Sequence, residues 1–191
     1  KNACQEVIAA EAELTEIDSH FGDADHGVTM TKIANAIIEG VEEAEGGMQA
    51  VLDEAATNVM MINGGSAVPL WNTWLDALQE NAAEGEEMDD AEVKAMFQTA
   101  YEELAALSKA KVGDKTMMDS LIPATEALVA CDGDIDAMFN AAAEAAIAGC
   151  EASKGFVSKF GRARSYGEKT IGTPDAGAAS MKYFFIGLAK A

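Results

Sequence analysis

The chain has 191 residues, 49% of them hydrophobic and 24% charged, a balance that excludes a disordered polymer and suits one domain over 1–191. Thirty-three acidic against thirteen basic side chains leave a net charge of −20, which argues against nucleic acid or an anionic membrane as the main partner. No apolar run is long enough to cross a bilayer, and Cys4, Cys131 and Cys150 form neither a disulfide framework nor a CxxC site, so a reducing cytoplasm is expected.

Ala alone supplies 38 residues, Glu, Met and Leu are plentiful, and only three Pro interrupt them, so the chain reads as helical throughout. In chain order, helices are expected over 1–17, 27–40, 47–62, 67–82, 89–108, 115–131, 134–152 and 176–189, with a shorter helical stretch around 155–166. In the third, Val51, Ala55, Val59 and Ile62 recur at helical spacing while Asp53, Glu54 and Asn58 face water. Gly64 and Gly65 then end the pattern, and Pro69 suits the first turn of the next helix. Other breaks fall at Gly85, Gly113 and Gly133. The Ala-rich run 141–148 reads as a surface for close helix packing. Eight or nine helices with short connections make an all-α domain.

The informative residues lie in the breaks. Asp18, Asp23 and Asp25 are spaced D-x4-D-x-D across a turn bearing Gly22 and Gly27, with Asp18 ending one helix and Asp25 preceding the next. Carboxylates gathered there would repel by about 4 kcal/mol per pair at 4 Å and an effective dielectric near 20. A hard divalent cation removes that cost, and oxygen-only ligation points to magnesium, manganese or calcium. The spacing does not fit an EF-hand, and zinc is weakly supported because only His20 and His26 are nearby. The plainer reading is a helix cap with two solvated neighbours. His26, near a helix start, could donate a hydrogen bond to an anion, and His20 reads as a surface residue.

Five of the thirteen cations fall between Lys154 and Lys169, within a long loop that runs through Gly161-Arg162-Ala163-Arg164 to Pro174-Asp175-Ala176-Gly177. Such a loop suits an anionic ligand, with Arg able to grip phosphate through two donors; Lys154 and Lys159 read instead as partners of the acidic surface. Gly64-Gly65-Ser66 and Gly113-Asp114-Lys115-Thr116-Met117 are further turns before helices, each able to contact a phosphate or simply to cap. Neither GxxxxGK[ST] nor GxGxxG is present, so any nucleotide site is of another, helical type.

Taken in order, Glu16-Ile17-Asp18 to Gly27, Gly64-Gly65-Ser66 to Pro69-Leu70, Gly113 to Asp119, and Gly161-Arg162-Ala163 to Gly177 resemble the nucleotide-binding L subunit of dihydroxyacetone kinase. The same domain ends the fused ATP-dependent enzymes. The sequence departs from that pattern at Ala24 and Ala67, where Gly is usual, and at Arg164, which shifts the loop register over 163–166. The resemblance implies an eight-helix antiparallel barrel with ADP or ATP at one end. It implies two Mg²⁺ on Asp18, Asp23 and Asp25, and nucleotide contacts from His26, Gly27, Val28, Thr29, Gly65 and Ser66. Gly113, Thr116 and Met117 would border the base or ribose, and Arg162, Asp175, Ala176 and Gly177 would close the site. Three Asp and an ATP sum to about −7 and two Mg²⁺ return +4, so metal-free binding is not expected.

The resemblance further implies phosphoryl donation to dihydroxyacetone held on a separate K subunit, with no catalytic side chain in this chain. The donor is expected to be bound ADP rephosphorylated by a phosphotransferase-system M subunit, or else exchanging ATP. Another short ketose such as erythrulose, a nucleotide-sensing regulatory module, and a helical scaffold with a structural metal remain as alternatives. Oligomeric state, a homodimer included, is left open.

Overall fold

The computed structural model describes residues 1–190, which form nine α-helices and two 3₁₀ segments with no strand among the described residues. The helices are α1 (Asn2–Ala9), α2 (Glu11–Ser19), α3 (His26–Glu43), α4 (Met48–Met60), α5 (Ala67–Glu80), α6 (Asp90–Ser108), α7 (Met118–Ala130), α8 (Ile135–Ala152) and α9 (Ala176–Leu188). Each of α3 to α9 packs on its neighbours in sequence, and α1 and α2 both pack between α3 and α9, which closes a ring. Counting the bent pair α1–α2 as one stave gives the eight-stave all-α barrel.

The single helix expected over 1–17 is divided at Ala10, whose N–H is shared between the carbonyls of Glu6 and Val7, both at 3.2 Å. The bend lets both pieces follow the wall. The remaining boundaries follow end chemistry. Asp89 and Glu92 form a reciprocal capping box at the start of α6, and Asp134 and Asp175 cap α8 and α9. On α5, Val68, Trp71, Trp74, Leu75 and Leu78 recur on one face and are buried. Trp71, Trp74, Phe97, Phe184 and Phe185 fill the barrel with mostly edge-to-face contacts at 5.3–6.4 Å between ring centres.

Two expected helical boundaries are corrected. The helix placed at 115–131 begins only at Met118, because Lys115 takes a left-handed backbone (φ 60°) and Asp119 folds the preceding turn onto itself. The stretch expected over 155–166 is instead a 3₁₀ turn at Ser153–Gly155, an irregular strip, and 3₁₀ turns over Arg162–Thr170. Gly161 and Gly167, at φ 61° and 56°, stop an α-helix there, and buried Thr170 ties the loop together by accepting from Ser158 N–H and donating to the Gly167 carbonyl.

Antiparallel staves place alternate connections at opposite ends. The turns after α2, α4, α6 and α8, which carry every motif noted in the sequence, therefore meet at one end. At the other end, the Met48 and Gln49 N–H groups bond to the carbonyls of Gly85 and Ala83.

Candidate functional site

The motif-bearing turns surround a cleft of about 440 Å³. One wall is the α2–α3 turn with Asp18, Asp23, Asp25 and His26; a second is Gly65 and Ser66 ahead of α5. Thr116 and Met117 form a third, Phe160 to Ala163 a fourth, and Pro174 to Gly177 the last, with Leu70 and Trp71 at the floor.

At the first wall, Asp18 sits in the last turn of α2 and Asp25 immediately before α3. Asp25 does not cap α3 with its own side chain. Instead, Asp18 Oδ2 accepts the N–H groups of Asp25 at 3.1 Å and His26 at 3.4 Å, so one carboxylate orients the whole turn. The Asp25 carboxylate is thereby left for other work. One oxygen from each of Asp18, Asp23 and Asp25 lies within 4.8 Å of the others, with Asp23 and Asp25 exposed toward the cleft. Three convergent carboxylate oxygens and no soft donor fit hard divalent cations such as Mg²⁺, Mn²⁺ or Ca²⁺.

Two glycines make this geometry fit. A Cβ on Gly22 would stand 1.9 Å from Asp18 Oδ1, and one on Gly27 would stand 2.1 Å from the Glu11 carbonyl. Ala24 takes a left-handed backbone at φ 59° where Gly is usual, and the turn still closes. Arg162 Nη2 reaches across from the long loop to Asp23 Oδ2 at 2.7 Å. Its neighbour Arg164 is exposed.

His26 lines the cleft. Its Nε2 lies 3.3 Å from Ser180 Oγ, which donates its own proton to the Gly177 carbonyl, so the imidazole is the donor and links the starts of α3 and α9. Burial lowers its pKa, with Asp18 and the Ala176 backbone opposing. His20 is exposed and bonds only to the Glu16 carbonyl.

The structure brings Asp18, Asp23, Asp25, His26, Thr29, Gly65, Ser66, Thr116, Met117, Arg162, Asp175, Ala176 and Gly177 to the cleft. Three expected site residues lie behind or beside it. Gly27 is packed against α2, Val28 faces outward at 44% exposure, and Gly113 spends its N–H on Asp119 Oδ1 at 2.6 Å. Lys154 pairs with the exposed Glu151, whereas the partner of Lys159 is the buried Asp114 of the 113–117 turn and not the acidic surface.

Two residues of the Gly113–Asp119 motif to which the sequence assigns no individual role hold the far side together. Lys115 lines the cleft but is only 4% exposed, and its ammonium donates to the carbonyls of Ser153 at 2.7 Å and Thr173 at 2.5 Å. Asp119 is fully buried and accepts the N–H groups of Gly113 and Thr116, both at 2.6 Å. Burial raises the pKa of Asp119 and lowers that of Lys115, each opposed by its polar neighbours. Burial likewise pushes the Asp175 carboxyl up to about 7, against the pull of the Ala178 N–H it caps and of Lys115.

The net charge of −20 does not fall evenly on the molecule. Lys109, Lys111, Lys115, Lys154, Lys159, Arg162, Arg164 and Lys169 all lie at the cleft end, while Glu84, Glu86, Glu87, Asp132 and Asp134 lie in turns at the opposite end. An anionic ligand thus meets a local field unlike the average one.

The DAK2 domain family model matches residues 20–190. The D-erythrulose kinase of Mycolicibacterium smegmatis is 38% identical over 187 residues, covering 94% of this chain and 32% of that protein. The ADP-binding subunit DhaL of the PEP-dependent dihydroxyacetone kinase of Escherichia coli is 27% identical over 193 residues, covering 98% of this chain and 92% of the subunit. The crystal structure of C. freundii dihydroxyacetone kinase in complex with AMP-PNP and Mg²⁺ superposes with a TM-score of 0.75 at 23% identity, over all of this chain and 32% of that one. That likeness is one of fold. The chain spans about a third of the length of the erythrulose kinases it matches, at 32% of each. No helix among the described residues is long and apolar enough to cross a membrane.

Proposed function

The chain belongs to the DAK2 domain family, and on that premise we propose that it is the nucleotide-binding, phosphoryl-donating part of a short-ketose kinase. The observation that carries this reading is the convergence of the Asp18, Asp23 and Asp25 oxygens on a cleft whose other walls are glycine turns and a helix start. Asp18, Asp23 and Asp25 would hold two Mg²⁺, which supply charge neutralisation to the phosphates of ADP or ATP.

The remaining roles belong to the chain's own groups. Gly65 and Ser66 offer a backbone that a phosphate can approach closely, and Thr116, Met117, Ala176 and Gly177 offer small or apolar surface to a base and ribose. Arg162 supplies a guanidinium at the mouth for phosphate oxygens. His26 and Asp175 orient the helix starts around them, and Thr29 lines the cleft beside His26. Holding donor and acceptor in line provides most of the acceleration in such transfers, so no base is required of this chain.

The acceptor ketose would sit on a separate K subunit or domain, and the reaction would need both parts. Bound ADP recharged by a phosphotransferase-system M subunit is the donor cycle supported by the likeness to an ADP-binding subunit of a PEP-dependent kinase. Free exchange of ATP with erythrulose as acceptor is the second reading, favoured by the 38% identity to a D-erythrulose kinase three times as long.

Mixing the chain with a K subunit, a nucleotide and each ketose tests both readings. Phosphorylation that needs this chain, Mg²⁺ and the Asp23 carboxylate is the expected result. Nucleotide binding without transfer to either ketose would instead indicate a regulatory module.

A further inference from the structure

The Gly113–Met117 turn makes contacts that its part in lining the cleft does not explain. Its backbone is fixed from below by the two Asp119 oxygens, which accept from Gly113 and Thr116. Lys115 then takes φ 60°, a conformation that costs a residue with a Cβ about 1 kcal/mol and that Gly adopts freely. A Lys in that place implies that its side chain is needed. The side chain turns inward, where the ammonium donates to the Ser153 and Thr173 carbonyls across 38 and 58 residues of sequence. Ser153 completes the circuit, because its Oγ accepts the Asp175 N–H at 2.9 Å. The segment Thr173–Asp175 is therefore gripped twice, directly by Lys115 and through Ser153. Asp114 does the same for the neighbouring wall: its carboxylate pairs with Lys159 at 2.6 Å and its carbonyl accepts the Lys159 N–H at 3.1 Å, next to Phe160 in the cleft.

We propose that Lys115 is a positioning residue of the site, a buried clasp that ties the end of α8 and the strip before α9 to the 113–117 turn. It thereby sets the spacing between the Thr116–Met117 wall and the Pro174–Gly177 wall. This inference rests on the nucleotide reading for what the two walls hold, but the clasp itself is a property of the chain alone.

The test pairs hydrogen exchange with binding. In Lys115→Met, amides over 172–177 exchange faster by about ten- to a hundredfold, the loss expected from removing charged hydrogen bonds. The affinity for Mg-ADP falls by a similar factor, while binding of Mn²⁺ alone at the Asp cluster, read by electron paramagnetic resonance, stays within about twofold of wild type. Ser153→Ala keeps the carbonyl that Lys115 uses and removes the hold on Asp175 N–H together with the hydroxyl's bond to the Cys150 carbonyl within the same turn, so it serves where the Lys variant fails to fold. It shows the same pattern at a smaller amplitude.

Unchanged exchange over 172–177 in both variants would overturn the clasp. A fall in Mn²⁺ affinity parallel to that for Mg-ADP would overturn the positioning role in favour of general destabilisation. Failure of the wild-type chain to bind Mg-ADP would sink the nucleotide reading instead, and the exchange data would still decide whether Lys115 joins the two walls.

Discussion

Arg162 Nη2 lies 2.7 Å from Asp23 Oδ2, so the loop ahead of α9 closes back onto the carboxylate turn between α2 and α3. The two side chains are 71% and 38% exposed, and a pair so open to water adds at most about 1 kcal/mol to stability. Its significance is local: the guanidinium holds one oxygen of a carboxylate that belongs to the cation-binding cluster. Arg162→Gln is expected to leave the unfolding midpoint nearly unchanged and to weaken Mg-ADP binding about tenfold. Binding of Mn²⁺ alone should strengthen, because the competing cation is gone. Calorimetry with each ligand checks this, and weaker binding of both would place Arg162 in the scaffold.

Gly22→Ala tests the carboxylate geometry without removing a carboxylate. The new methyl would fall 1.9 Å from Asp18 Oδ1, so the Asp18 side chain must swing away. It would then leave the Asp25 and His26 N–H groups it accepts. Cation affinity is expected to drop by about tenfold or more, with a loss of stability near the 1–2 kcal/mol of a broken helix cap. Gly27→Ala differs, since its methyl meets the Glu11 backbone, which cannot rotate aside. That variant should lose about 2–4 kcal/mol of stability, read by urea unfolding.

Asp175 gives the site a pH signature. Its folded pKa, raised to about 7 by burial, exceeds the ordinary carboxylate value, so the folded protein binds the proton more tightly than the unfolded chain. The contribution of Asp175 to stability therefore declines as pH rises from about 4 to about 7, and then levels off. Asp175→Asn keeps a cap acceptor for Ala178 N–H and removes the titration. Urea unfolding across pH 5 to 8 should show wild type losing stability relative to the variant up to about pH 7. Parallel curves would contradict the assignment.

The triad of carboxylates was legible in the sequence because it is local: Asp18, Asp23 and Asp25 belong to one turn, and their spacing alone brings them together. Helix order and most boundaries were legible for a similar reason, since Gly, Pro and capping Asp residues mark them. The division at Ala10 was not, because nothing in its side chain departs from helical preference and the bend answers to packing between α3 and α9. Gly27, Val28 and Gly113 are expected as ligand contacts only through the family resemblance. The structure shows one packing on α2, one facing solvent and one shaping a turn. Lys115 and Asp119 stand in a motif that the sequence shows, but their buried roles are not legible there, because they depend on a left-handed φ and on partners in distant segments, neither of which a spacing pattern carries.

Charge neutralisation at the Asp cluster is the point on which the rest depends. Asp23→Asn removes one of three ligand charges; two unit charges 4 Å apart attract by about 4 kcal/mol at an effective dielectric near 20, and a divalent cation doubles that. It should abolish Mg-nucleotide binding and transfer while the helical circular dichroism is unchanged. Retained activity would exclude Asp23 as a ligand.

The most direct measurement is calorimetric titration of ADP into nucleotide-stripped protein, first with Mg²⁺ and then with EDTA. Tight binding with Mg²⁺ that disappears in EDTA is the predicted result. Equal affinity in both conditions would contradict the role of Asp18, Asp23 and Asp25, and no binding in either would remove the nucleotide site from the cleft.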